Sequence, residues 1–234
     1  MSDDADLLKL AAATRPHDPK DAPHYPFNPP LPFAEDALEP LMSAATVRVQ
    51  RAMHQQYARL LNAALERHPH LQGVSVESIV RRAGELPALE RALIHDAAAG
   101  HANHQFFWKI LKPGGNGGAG PEGRLAAHIA RDFGSVEELK RRFNAMALGL
   151  PGPGWAYLSV DPANGALALD ALAGNGSIMD LGKPGVMICD MWEHAYLLDH
   201  GPDRAGWLDA FWQLVDWEVI GKRLELFYGG GTHA

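Results

Sequence analysis

The nine residues from Pro113 to Pro121 hold five glycines, and no other stretch of this 234-residue chain divides it so sharply. A regular helix or strand does not run through such a segment. Glycine loses the most backbone freedom on ordering, and proline lacks an amide donor. One set of elements must therefore finish before the segment and another begin after it. The segment follows a helical pattern rather than a strand and lacks the Lys-Ser/Thr ending of a phosphate-binding loop. It reads as a flexible linker.

Before the divide the pattern is helical. Val49, Met53, Tyr57, Leu60 and Ala64 recur at helical spacing between Ser43 and about Glu66, with Ser43 placed as N-cap. His68-Pro69 ends that helix, a short helix follows Ser75, and residues 87–111 read as a second long helix with Pro87 in its first turn. Together they predict an antiparallel helical hairpin over residues 34–112. After the divide, helices are expected near 123–132 and 135–148, the second opened by a Ser135/Glu138 capping box. Strands are expected at 155–160, 166–170 and 186–189, the first two joined as a hairpin around Asn164-Gly165. Helices near 193–199, 204–214 and 215–227 complete the chain. The fold class is α+β: the hairpin domain, then a C-terminal α/β domain over residues 122–234 with a three-stranded antiparallel sheet. Residues 1–33 carry seven prolines. They read as an extended, partly disordered arm with a short helix at 5–13.

Composition excludes several classes of function. A formal charge of −7 and a pI near 5.9 argue against a nucleic-acid binder. No apolar run reaches the roughly 20 residues of a membrane span, and the first residues resemble no secretory signal. One cysteine, Cys189, excludes an internal disulfide framework and suits a reducing compartment. A soluble cytoplasmic protein is expected.

The chemistry concentrates in two motifs. Asp190-Met191-Trp192-Glu193-His194-Ala195-Tyr196 places a carboxylate and an imidazole four residues apart in an otherwise apolar stretch. That pair suits a first-row transition metal better than calcium or magnesium. Upstream, Asn103-His104-Gln105-Phe106-Phe107-Trp108 carries another imidazole, with His101 three residues before it. Taken alone, each histidine reads more readily as a structural or surface residue than as a ligand and the aromatic row reads most simply as packed core, while Asp190 reads equally well as a helix cap.

The two motifs together resemble the iron/manganese superoxide dismutase family, with its D-x-W-E-H-A-Y and N-H-x-x-F-W signatures. The resemblance runs in order from residue 31 to near the end. It passes through Leu31-Pro32-Phe33, Ala37-Leu38-Glu39-Pro40, His54-Gln55-Gln56-Tyr57, Gly100-His101-Ala102-Asn103-His104, the glycine-rich divide, Gly154-Trp155 and Phe211-Trp212. The Gly-His-Ala-Asn-His version is closer to manganese-type than to iron-type members. The resemblance implies one iron or manganese ion per subunit, held by His104, Asp190 and His194, with Trp192 as an aromatic wall. It makes Tyr57 the gateway for substrate. It makes Glu193 the residue that reaches across a homodimer interface to the partner's ligand histidine. The implied reaction is dismutation of superoxide, with no nucleic-acid or membrane partner.

The family's fourth ligand is missing. It is a histidine eight residues before the gateway tyrosine, which here gives Val49. Counting from Pro40 instead makes this chain one residue shorter and gives Gln50. Valine cannot coordinate, and a neutral amide oxygen is a poor substitute for imidazole on these ions. Met53 and Leu197 stand where the family pairs a histidine with a tyrosine across the dimer. Gly100 and Gly176 stand at the two places that can supply its outer glutamine. The resemblance therefore implies a dismutase impaired by a lost ligand. Two other readings stay open: a metal protein with another redox reaction, and a non-enzymatic structural or partner-binding descendant.

Overall fold

Ser43 opens the first helix as expected, its hydroxyl accepting the Thr46 backbone N–H at 3.2 Å. The computed structural model describes residues 25, 26, 28–115 and 119–229. Most of the N-terminal arm and the middle of the glycine-rich divide thus lie outside the described residues. The first helices are α1 (Ala44–Leu65), α2 (Val76–Arg82) and α3 (Ala88–Lys109). Short 3-10 turns intervene at Pro69–Leu71 and Ala83–Glu85. Pro87 stands just before α3 rather than inside its first turn, its carbonyl accepting the Arg91 N–H at 2.8 Å. The chain then forms α4 (Gly123–Phe133), α5 (Val136–Leu148), β1 (Gly154–Val160), β2 (Leu167–Ala173) and β3 (Gly185–Asp190). It ends with α6 (Glu193–His200), α7 (Arg204–Leu214) and α8 (Trp217–Gly229). The class is α+β, as the patterning indicated.

These elements form two compact units. One comprises Arg51–Gln105 with the described residues before Leu31, and the other Leu31–Gln50 with the residues from Phe106 on. In the first, Leu61, Leu65, Ile79, Val80 and Ala98 are buried. Tyr25 is fixed there at both ends. Its backbone exchanges hydrogen bonds with the Asn62 side chain at 3.1 and 2.8 Å, and its hydroxyl donates to the Val74 carbonyl at 2.6 Å. The C-terminal end of the proline-rich arm is therefore anchored.

In the second unit the strands pair antiparallel in the order β2-β1-β3. Every residue of β1 is buried, as befits a central strand covered on both faces. The expected β1–β2 hairpin forms, with Gly165 at φ +70°, a value costly for other residues. Around the sheet packs an aromatic core of Phe107, Trp155, Trp207, Phe143 and Phe211.

Two local expectations need correction. Ser135 does cap α5 by accepting from the Glu138 N–H. The reciprocal half of the box is absent because Glu138's carboxylate binds Arg141 and Arg142 at 2.6–2.8 Å. The full reciprocal box forms instead at Ser177 and Asp180. The start of the glycine-rich segment is also not slack. Lys112 N–H donates to the Leu214 carbonyl at 2.8 Å, and a Cβ on Gly115 would run into the Gln213 carbonyl.

Candidate metal centre

The second unit delivers Asp190 to one corner by two routes. Strand β3 ends on it, paired with Trp155, and α6 starts three residues later. Asp190 is fully buried, and both carboxylate oxygens and its carbonyl are engaged. Oδ1 accepts the Trp192 N–H at 2.9 Å, and the Trp207 indole donates to the Asp190 carbonyl at 2.8 Å. Oδ2 accepts from His194 Nε2 at 3.0 Å and from Gln50 Nε2 at 2.6 Å. Asp190 and His194 meet because a helix beginning just after the strand turns the residue at i+4 back over residue i. The Trp192 ring stacks on His194 with centroids 5.7 Å apart, and its indole donates to the Gly174 carbonyl at 3.2 Å. Glu193, in the first turn of α6, is exposed.

Gln50 and Val49 are separated by the packing of α1. Thr46, Val47 and Gln50 form its buried stripe in this unit, whereas Val49 is 42% exposed. The count from Pro40 therefore finds the inward position, and the count from Tyr57 does not. The Oε1 of Gln50 is buried and accepts no hydrogen bond. Among the losses, Leu197 is exposed on α6.

The first unit holds the other candidates. His104 Nδ1–H donates to the Gly100 carbonyl at 2.7 Å, which fixes the tautomer with the lone pair on Nε2. Its ring packs against Tyr57 (centroids 5.6 Å apart) and stacks on His54 (5.5 Å). His54 Nε2 shares a hydrogen bond with His101 Nδ1 at 2.8 Å. Burial, with adjacent His101, pushes His54 down to about 3, so it is neutral at physiological pH. At Gly100 an added Cβ would lie 2.7 Å from the Tyr57 ring, so the glycine is what admits the tyrosine. At Gly176 an added Cβ would lie 2.9 Å from the Leu172 Cβ. Neither glycine can be exchanged for glutamine without rearrangement.

The donor chemistry fits a transition-metal ion. His194 Nε2 and Asp190 Oδ2 lie 3.0 Å apart, near enough that both atoms could serve one cation. In its own unit, His104 carries on Nε2 a lone pair of the type such ions take, and a buried carboxylate without a cation is costly.

Comparison with known sequences decides the family. Residues 25–112 match the alpha-hairpin domain of the iron/manganese superoxide dismutases, and residues 121–223 match their C-terminal domain. The manganese superoxide dismutase of Listeria monocytogenes is 37% identical over 198 residues, covering 84% of this chain and 96% of the relative. Those of Pseudomonas aeruginosa and Thermus aquaticus are each 38% identical, covering 83% of this chain and 95% of the relative. The chain belongs to the iron/manganese superoxide dismutase family. Iron or manganese is thus the cofactor, and the protein is superoxide dismutase-like in sequence along most of its length. No described helix is long and apolar enough to cross a membrane.

Two contributors escaped the sequence reading, Trp207 and Asp199, and a third was named without being singled out. Trp207 carries no motif. Gln50 was one of two equal candidates. Asp199, whose Oδ2 accepts the Ser43 N–H at 2.8 Å, ties α6 to the start of α1 across 156 residues.

Proposed function

We propose that this chain dismutes superoxide, turning two superoxide anions and two protons into dioxygen and hydrogen peroxide, at one iron or manganese ion per subunit. His104, Asp190 and His194 are the proposed protein ligands, and absence of the family's first histidine weakens both binding and turnover. The observation that supports this most is Asp190, a buried carboxylate whose Oδ2 is flanked by His194 and Gln50 nitrogens. A chain released from metal binding has no reason to keep an anion there.

An ion held by His104, Asp190 and His194 would supply a one-electron redox couple that can alternate between oxidising and reducing superoxide. Everything else falls to the protein. Asp190 supplies the negative charge that stabilises the cation, and the Trp192 and Trp207 N–H groups hold that residue rigid. The Gly100 carbonyl orients His104, and Trp192 stacked on His194 limits water on that side. Tyr57, against His104, is the proposed gateway residue. Glu193, exposed on α6, is proposed to reach a partner subunit in a cytoplasmic homodimer.

Metal analysis coupled to a superoxide-consumption assay tests the reading. Purified protein is expected to carry iron or manganese, with activity below that of a four-ligand relative. Loss of a supporting interaction typically costs 10–100-fold, and a lost ligand is expected to cost no less. Gln50→His is expected to raise the activity of metal-loaded protein. Protein that takes up neither ion overturns the proposal.

A further inference from the structure

We infer that Gln50 is this chain's own fourth donor to the metal, through its amide oxygen, and that the exchange of carbonyl for imidazole biases the site toward manganese over iron. The inference rests on the reading that Asp190 and His194 hold the ion.

Three observations carry it. Gln50 occupies the buried stripe of α1 with Thr46 and Val47, where packing alone would be served by an apolar residue. Its amide ends 2.6 Å from Asp190 Oδ2, the same oxygen that His194 Nε2 approaches at 3.0 Å. Amide and imidazole therefore flank one carboxylate oxygen. Finally, Oε1 of the same amide is buried and has no hydrogen-bond donor. Buried acceptors are nearly always satisfied, and an orphan among ligand-type groups calls for an explanation. A cation supplies one.

The two ends of a glutamine amide are nearly isosteric, and a half-turn about the last side-chain bond exchanges them. Without metal, the N–H₂ end faces Asp190 and neutralises part of its charge. With metal, Oδ2 no longer needs that donor, and the carbonyl end can take its place beside the ion. Gln50 thus stabilises Asp190 in the metal-free protein and contributes a donor in the loaded one.

Donor type then sets preference. Imidazole nitrogen suits iron, whereas carboxylate, carbonyl and water oxygens suit manganese. Replacing one of three imidazoles by a carbonyl weakens binding of both ions and weakens iron more.

The test uses wild-type protein with Gln50→His, Gln50→Leu and Gln50→Glu variants. Each is stripped of metal, checked for fold by circular dichroism, and loaded anaerobically from equimolar Mn(II) and Fe(II). Bound metal is counted by elemental analysis, Mn(II) affinity by calorimetry, and the coordination sphere by Mn(II) electron paramagnetic resonance. Wild type is expected to take manganese over iron by a ratio roughly tenfold above that of Gln50→His. Gln50→Leu is expected to lose roughly tenfold or more in Mn(II) affinity with an altered spectrum, while Gln50→Glu keeps the affinity. A Gln50→Leu protein equal to wild type in affinity and spectrum overturns the ligand assignment. A metal ratio unchanged in Gln50→His overturns the bias. Wild type that binds neither ion overturns the underlying functional reading instead.

Discussion

The corner around Asp190 and the imidazole cluster around His104 are built on opposite principles. Asp190 is held by directed bonds. Its three oxygens accept from Trp192, Trp207, His194 and Gln50, and those donors come from three separate stretches of the sequence. His104 donates to a carbonyl a turn earlier on its own helix, and its ring packs against the stacked face of His54 and the tilted ring of Tyr57. Directed bonds converge on the carboxylate, and ring packing surrounds the imidazole. The first arrangement should fail abruptly when one atom is removed, and the second when volume is added.

The sharpest way to break the comparison is Asp190→Ala. It strands the Gln50 and His194 nitrogens and the Trp192 N–H in a buried site. A loss of about 3–5 kcal/mol is expected in urea unfolding, with complete loss of metal. On the other side, Gly100→Ala adds one methyl 2.7 Å from the Tyr57 ring. Overpacking costs about 1–3 kcal/mol, and the better helix propensity of alanine returns about 1. Net destabilisation is therefore expected in thermal melts, and in a Tyr57→Ala background the same Gly100→Ala change should no longer destabilise. A Gly100→Ala protein as stable as wild type would remove shape as the organising principle there.

Trp207→Phe keeps most of the buried ring but deletes the N–H on the Asp190 carbonyl. A loss of about 1 kcal/mol is expected by denaturant titration. The smallest effect concerns Asp199. Burial opposes its ionisation, but hydrogen bonds from Ser43 outweigh burial and hold its carboxyl below the usual range. A depressed folded-state value means the stabilisation is present above the unfolded value of about 3.9 and lost as pH falls through the lower folded one. Wild type should exceed Asp199→Asn by under about 1 kcal/mol at neutral pH, because Asp199 is largely exposed. That gap should close in acid, as unfolding curves at several pH values will show.

Both halves were legible to different depths. The α+β class, the β1–β2 hairpin and the helix starts at Ser43, Ser75 and Ser135 follow from local rules, which act over a few residues and leave a mark in the sequence. The strand order β2-β1-β3 leaves none, since it depends on pairings far apart in the chain. The same division runs through the site. Asp190, His194 and His104 were recognisable because their motifs are contiguous. Trp207 and Asp199 act across 17 and 156 residues, and no local pattern announces them. Choosing between Val49 and Gln50 required knowing which face of α1 is buried. Sequence spacing alone gave two answers because the counts from Pro40 and from Tyr57 differ by one residue.

The close fit of Tyr57 over Gly100 also governs what this lineage can become. Glutamine cannot return to position 100 by one substitution, because the ring already fills the space its first carbon would need. A side chain at that position requires the tyrosine ring to shift. Position 50 faces no such obstacle, since glutamine and histidine codons differ by a single base and the side chain there already points inward. On the proposed reading, a single substitution at position 50 is the shorter route to a fuller ligand set than one at position 100.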